Sequence, residues 1–568
     1  MPVEYDLLIK GGRIYDGSGM PSYLGDVGVR GGKIVELGRL NGKARQVINA
    51  DGLAVSPGFI DFHTHLDAQL LWDPLATSSC WHGVTTVIPG NCGLALAPAR
   101  PQDRQGILQS FVRVEAMPMS ALKEGVPWDW TTYPEYLRKL DQRLGVNVAP
   151  LMGHCAVRQY VMGEDACARA ATADEIERMK DLVREGVRAG ARGFSTNQNP
   201  VHMREDGRPI PSRLATEEEI LALASVLGEL NCGSVQISQG SLGVSNETEK
   251  SIGFFNRLAQ ESGRPVIWQS IAHRWDQPDL WRTHLKMAES ALAEGIPSYP
   301  LCNARLFNNR FTLKNAQVFD DLPTWKQMMF IPFEQRAQLF RNPEVRAKLR
   351  FEGLEDKRSS RFSRRWDLVY FIKAANAEHQ YLERKSVAEI ARLRKQDVID
   401  AFLDLSLEEG LEAQFQTSST NGDEVAVAEI LRSPFTLVGQ SDAGAHLIYD
   451  AGYGYATRFL GYWIRERNVM SVEEGVRKLT FMVASIFGLH DRGLVRPGMA
   501  ADLVVFDPET VCDSEPEMVT DLPAGEKRLV QKAQGVKTTV VNGQVLTEDG
   551  QHTGAFPGRV LGNMSMGL

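Results

Sequence analysis

The chain has 568 residues, 43% of them hydrophobic and 24% charged, with a formal net charge of −8. That length exceeds one ordinary hydrophobic core and calls for a large domain plus a smaller one, and the acidic balance gives no support to nucleic-acid binding. No run of about 18 apolar residues offers a membrane span, the N-terminus lacks the basic stretch of a secretory signal, and seven scattered cysteines do not form a disulfide framework, so a reduced cytoplasmic protein is expected.

In chain order, the first stretch reads as short strands and tight turns. Residues 5–10 run into Gly11-Gly12, and residues 27–30 meet Gly31-Gly32 before a further alternating run, which is a hairpin signal. The C-terminal stretch, with runs at 501–506 and 536–543, has the same texture. Two β-rich ends predict one small β-sandwich domain, residues 1–57 and 497–568, assembled from both termini. The middle, residues 58–496, alternates strands with helices. Its strand-like runs are 58–65, 83–88, 146–152, 193–196, 233–238, 265–270, 295–300 and 436–441. Between them, Thr172-Ala173-Asp174-Glu175 is a capping box ahead of Ile176, Met179, Val183 and Val187 on one helical face. Thr216 and Ser471 open two more helices in the same way. This alternation predicts an α/β fold, a (β/α)8 TIM-type barrel. Residues 305–365 read as an insertion over its active face.

Strand one ends in His63-Thr64-His65. Residues i and i+2 of a strand share a face, so the two imidazoles converge on one point, and imidazole is a common zinc ligand. An isolated pair of this kind is more often a polar strand end, but the residues at two later strand exits weigh against that reading. Strand two ends Gly90-Asn91-Cys92-Gly93, where a thiolate faces the same centre and the glycines permit close approach. Strand eight ends Gln440-Ser441-Asp442, where a carboxylate can bind a metal and take a proton from the water it acidifies. All three lie at strand exits, the face on which barrel active sites are built.

Pro57-Gly58-Phe59-Ile60-Asp61-Phe62-His63-Thr64-His65, Gly83-Val84-Thr85-Thr86-Val87 and Gly90-Asn91-Cys92-Gly93 resemble the amidohydrolase superfamily, and more narrowly the N-acyl-D-amino-acid deacylases. The return segment Gly493-Leu494-Val495-Arg496-Pro497-Gly498 is similar too. The resemblance implies that His63, His65, Cys92 and Asp442 hold the metal, with Asp442 also the general base and acid. The deacylases place further histidine ligands at strands five and six. Here those strands read Val235-Gln236-Ile237-Ser238-Gln239-Gly240 and Val266-Ile267-Trp268-Gln269-Ser270, without histidine. One zinc ion rather than two is therefore expected.

The substrate implied is a small-molecule amide, an N-acyl-D-amino acid, cleaved at its linear amide bond. Its carboxylate calls for an arginine, since guanidinium pairs bidentately with carboxylate. Candidates are Arg158, Arg204, Arg274 and Arg458, with His154, at the end of strand three and matching a family histidine, as a further substrate contact. His202, His273 and His446 also lie near strand exits. Trp72, Trp81, Trp268, Phe307, Tyr453 and Tyr455 are aromatic candidates for a pocket. Two other readings stand beside this one. A cyclic amide is opened by relatives that use a strand-four lysine, which Gly193-Phe194-Ser195-Thr196 lacks. A non-catalytic scaffold would account for the missing histidines. Nothing in the sequence excludes a homo-oligomer.

Overall fold

The computed structural model describes residues 4–562 apart from 239–244, 307, 315, 357–361 and 419. Strands from both termini interleave in one sheet of nine. Its centre is Ala54–Pro57, which pairs in parallel with Tyr5–Ile14 and antiparallel with Leu503–Phe506. That strand bonds on both edges and so joins the strands of the two termini in one sheet, while Cys512–Asp513 with Ala533–Gln534 and Glu517–Thr520 with Lys527–Val530 form two further pairs from the C-terminal segment. Leu7, Val27, Ile34, Val55, Leu503 and Val540, drawn from both termini, share one apolar cluster. Gly31 and Gly32 make the hairpin turn with φ of 59° and 76°, values that suit glycine.

One residue beyond Ala54–Pro57, the chain enters the parallel strands. Phe59–Asp61, Val84–Val87 and Asn147–Val148 form one sheet. Met152–Gly153, Gly193–Asn197, Ser234–Ser238, Val266–Ile271, Ser298–Cys302 and Leu437–Val438 form a second, paired in that order. The predicted third strand is thus built in two pieces, and Pro150, which has no N–H to give, lies between them. A parallel bridge between Thr64 and Ala443 joins the exits of the first and last strands.

The predicted helix starts hold. Thr172 and Glu175 form a reciprocal cap on Ala173–Ala189, which buries Met179, Val183 and Val187. Thr216 and Ser471 cap Glu217–Glu229 and Val472–Leu479. Between Ser298–Cys302 and Leu437–Val438 stands a unit with its own antiparallel sheet, Asn308–Phe311, Gln414–Ser418 and Val369–Lys373. Its separate apolar core, which includes Phe319, Trp325, Trp366 and Phe402, runs from Phe311 to Phe415. Among the described residues no helix is long and apolar enough to cross a membrane.

Candidate metal centre

The strand Phe59–Asp61 delivers His63 and His65 to its exit with ring centroids 5.5 Å apart. Cys92 arrives from the turn after Val84–Val87. Gly90 there has φ 88°, and a Cβ on it would sit 2.4 Å from the Leu151 carbonyl oxygen, so only glycine fits. Asn91 ties the turn down by donating Nδ2 to the carbonyls of Ile88 (2.6 Å) and Thr64 (3.2 Å). The ligand atoms of His63, His65 and Cys92 lie within 4.8 Å of one another, and all three residues are buried. Asp442 follows Leu437–Val438. Its Oδ1 is 3.3 Å from His63 Nε2 and 3.9 Å from His65 Nε2, and its amide donates to the His63 carbonyl at 3.2 Å. Cys92 and Asp442 both have positive φ, 52° and 50°, a conformation that L-residues hold only where the surroundings enforce it.

Strands five and six each turn an amide towards the same atoms, while Gln239 and Gly240 of the strand-five reading lie outside the described residues. Gln236 Oε1 accepts the Cys92 amide at 3.3 Å, while its Nε2 lies 2.6 Å from His63 Nδ1. Gln269 Oε1 is 3.7 Å from Cys92 Sγ, and its Nε2 is 3.4 Å from His63 Nε2.

One further carboxylate joins them. Glu115, at the end of the helix Arg104–Val114, has Oε1 3.3 Å from His65 Nδ1, a contact off hydrogen-bond geometry. Its carbonyl accepts the His446 amide at 2.6 Å. No sequence signal marks Glu115, since it lies in a connection rather than at a strand exit.

Burial dominates the electrostatics. It pushes Asp442 up to about 7 and Cys92 and Glu115 well above their ordinary values, and it drives His63 well below and His65 down to about 3. Arg305 pulls Asp442 the other way, but its own guanidinium is on Asp450 at 2.9 and 2.7 Å. Acids whose charged forms burial disfavours, set beside imidazoles that burial keeps neutral, are an environment that a divalent cation would complete. Two nitrogens, a thiolate and a carboxylate suit zinc, so the donor set fits the ion.

The centre opens into a cavity of about 390 Å³, into which His65, Cys92, Glu115, Gln269 and Asp442 face. A model of the amidohydrolase family matches residues 46–547. The chain belongs to the amidohydrolase family. As such it is a metal-dependent hydrolase of carbon–nitrogen bonds other than peptide bonds. It is 29% identical over 573 residues to a D-aminoacylase of Alcaligenes xylosoxydans xylosoxydans, covering 98% of this chain and 97% of that one. It is 30% identical over 579 residues to an N-acyl-D-aspartate deacylase of the same organism, covering 99% and 95%. The crystal structure of an N-acyl-D-glutamate deacylase from Bordetella bronchiseptica, complexed with zinc and a phosphonate inhibitor, matches with a TM-score of 0.67 at 26% identity, over 98% of this chain and 100% of that one.

Of the substrate contacts expected of this amidohydrolase, Arg274 lines the cavity. His154 and Arg158 do not. Both are wholly buried on Glu219: His154 Nε2 is 2.9 Å from its Oε1, with Nδ1 on Thr196 at 2.8 Å, and the Arg158 guanidinium pairs with the same carboxylate. Arg458 lies over the Tyr462 ring and 3.9 Å from Asp513. Arg204 is buried against Cys167, Glu164 and Asp206. His202 and His446 line the cavity, whereas His273 packs edge-on against Trp275. Trp268, Tyr453 and Tyr455 are core residues, Trp72 and Trp81 pack against the core, and Phe307 lies outside the described residues.

Proposed function

We propose that this chain removes the acyl group from an N-acyl-D-amino acid, using one zinc ion held by His63, His65, Cys92 and Asp442. The observation that carries the reading is the convergence of these four side chains at a cavity large enough for a small amide. The amides of Gln236 and Gln269, neutral and turned to His63 and Cys92, support one ion rather than two. The relatives named D-aminoacylase and N-acyl-D-aspartate deacylase support the substrate class.

When bound, a zinc ion supplies Lewis-acid polarisation of the scissile carbonyl and lowers the pKa of water. The protein's groups do the rest. Asp442 accepts the water proton at its carboxylate and returns it to the leaving amine; its Oδ2 is steadied by Gln440 Nε2 at 3.4 Å. Glu115 lies beside His65 Nδ1, on the side of the ring away from the Nε2 that is turned to Asp442. Arg274 and His446 face the cavity as substrate contacts, while His154, Arg158 and Arg458 act in the fold.

We further propose that the two parallel sheets are arcs of one closed (β/α)8 barrel, residues 58–496. The single bridge at Thr64 and the two-piece third strand support closure. Residues 1–57 and 497–568 make the small domain, and the inserted unit with its core from Phe311 to Phe415 stands over the barrel mouth. The test is a panel of N-acetyl-D- and N-acetyl-L-amino acids with the zinc-loaded protein. Release of acetate from D substrates is expected; hydrolysis of none of them would overturn the reading.

A further inference from the structure

Part of the cavity wall comes from the inserted unit, through Asn309, Val318, Asp320, Asp321 and Lys326. Among the described residues, the Arg and Lys cations that line the cavity are Arg113, Arg274 and Lys326. Arg113 is paired with Asp320. Arg274 spends Nε and Nη2 on the two oxygens of Asp276, at 2.9 and 2.8 Å. Lys326 differs from both. Its ammonium meets the thioether of Met203 at 3.5 Å, a weak acceptor. Among the described residues no carboxylate oxygen lies within 4.0 Å of it.

The backbone that carries Lys326 is firmly held. The helix Pro323–Phe330 is capped by Glu352, whose carboxylate accepts the Thr324 amide at 3.0 and 2.9 Å and the Thr324 hydroxyl at 2.7 Å. Trp325 is wholly buried and donates Nε1 to the Leu349 carbonyl at 3.1 Å. Glu352 is thus committed to the helix end, and the lysine stem leaves a fixed point towards the cavity.

We propose that Lys326 is the residue that receives the substrate's carboxylate. The identity of that ligand rests on the deacylase reading above. An ammonium whose neighbour is a thioether gains a charge-assisted hydrogen bond when a carboxylate arrives, whereas Arg274 and Arg113 would first have to give up an existing partner. Substrate recognition is then delegated to the inserted unit, and the metal-bearing strands need contribute no arginine. This explains why Arg158 is free to serve Glu219 and why Arg458 lies elsewhere.

The test compares wild type, Lys326→Met and Lys326→Arg, all full-length and zinc-loaded, on an N-acetyl-D-amino acid and on its C-terminal carboxamide. Calorimetric Kd values are taken in parallel with non-hydrolysable phosphonate analogues of the acid and of the carboxamide. For the acid, Lys326→Met is expected to raise KM and Kd about ten- to a hundredfold, the range of a lost hydrogen bond to a charged group. KM should change more than kcat, the carboxamide should bind both proteins alike, and Lys326→Arg should recover most of the loss. An acid affinity within twofold of wild type overturns the proposal, as does an equal loss for acid and carboxamide. Lysine-dependent binding without hydrolysis would overturn the deacylase reading and leave Lys326 assigned. Binding of no N-acyl amino acid would overturn both.

Discussion

Gln236 Nε2 lies 2.6 Å from His63 Nδ1 while the other end of the same amide accepts the Cys92 N–H. One neutral side chain on strand five thereby positions two proposed ligands. Because Oε1 is held by the Cys92 N–H, it is the amide's NH2 that faces His63 Nδ1. The side chain does this without adding charge or a strong metal donor. Gln269 repeats the arrangement from strand six.

Those two amides carry the first prediction. Histidine at both positions would place imidazole nitrogens where the amide groups now meet His63 and Cys92. Gln236→His with Gln269→His is expected to raise the zinc content from one ion per chain to two, read by elemental analysis of dialysed protein. A stoichiometry still at one would show that the amides do not occupy a second metal position.

Asp442→Asn keeps the size of the side chain and removes its basicity. A lost general base costs about 10² to 10⁴ in kcat. We expect a fall in that range in protein whose far-UV circular dichroism matches wild type, with the zinc content measured alongside because Asp442 is also a proposed ligand. Activity within tenfold of wild type would remove Asp442 from its assigned role.

Glu219 holds Arg158 and His154, and all three are wholly buried. Glu219→Ala leaves a guanidinium buried without its partner, at a cost of about 3–5 kcal/mol. Denaturant unfolding should show that loss, while KM of the remaining folded enzyme stays as in wild type. A raised KM without loss of stability would return Arg158 to the substrate site.

Lys478 donates to the carbonyls of Ser433 and Thr436 at 2.7 and 3.0 Å, and burial lowers its pKa to about 8 from 10.5. Between those two values the unfolded chain holds a proton that the native protein has released, so stability rises with pH across that window. The rise attributable to this lysine is on the order of 3 kcal/mol. It is read as the change with pH in the stability difference between wild type and Lys478→Met. A difference that stays flat from pH 8 to 10.5 would contradict the shift.

His63, His65, Cys92 and Asp442 are legible in sequence because each comes after an apolar strand, and strand exits of this architecture face one point. The capped helices after Thr172, Thr216 and Ser471 are legible because a cap is a local arrangement. Glu115 follows a helix in a connection and Lys326 lies on the helix Pro323–Phe330 of the inserted unit; the placement of both is set by packing against distant residues, which no local pattern marks. His154 and Arg158 read as substrate contacts because their position after a strand is visible and their partner Glu219, 65 and 61 residues away, is not. The single sheet of nine strands was hidden for a related reason. Alternation reveals strands, but whether Ala54–Pro57 bonds on one edge or both depends on where the C-terminal strands return.

The central claim is one zinc ion, held by four residues, serving one hydrolytic site. Zinc titration of metal-stripped protein, monitored through release of the amino acid from an N-acetyl-D-amino acid, tests it most directly. Activity is expected to rise linearly and level off at one equivalent per chain, and His63→Asn is expected neither to retain the ion nor to respond. Full activity without metal, or a plateau reached only at two equivalents, would contradict the account.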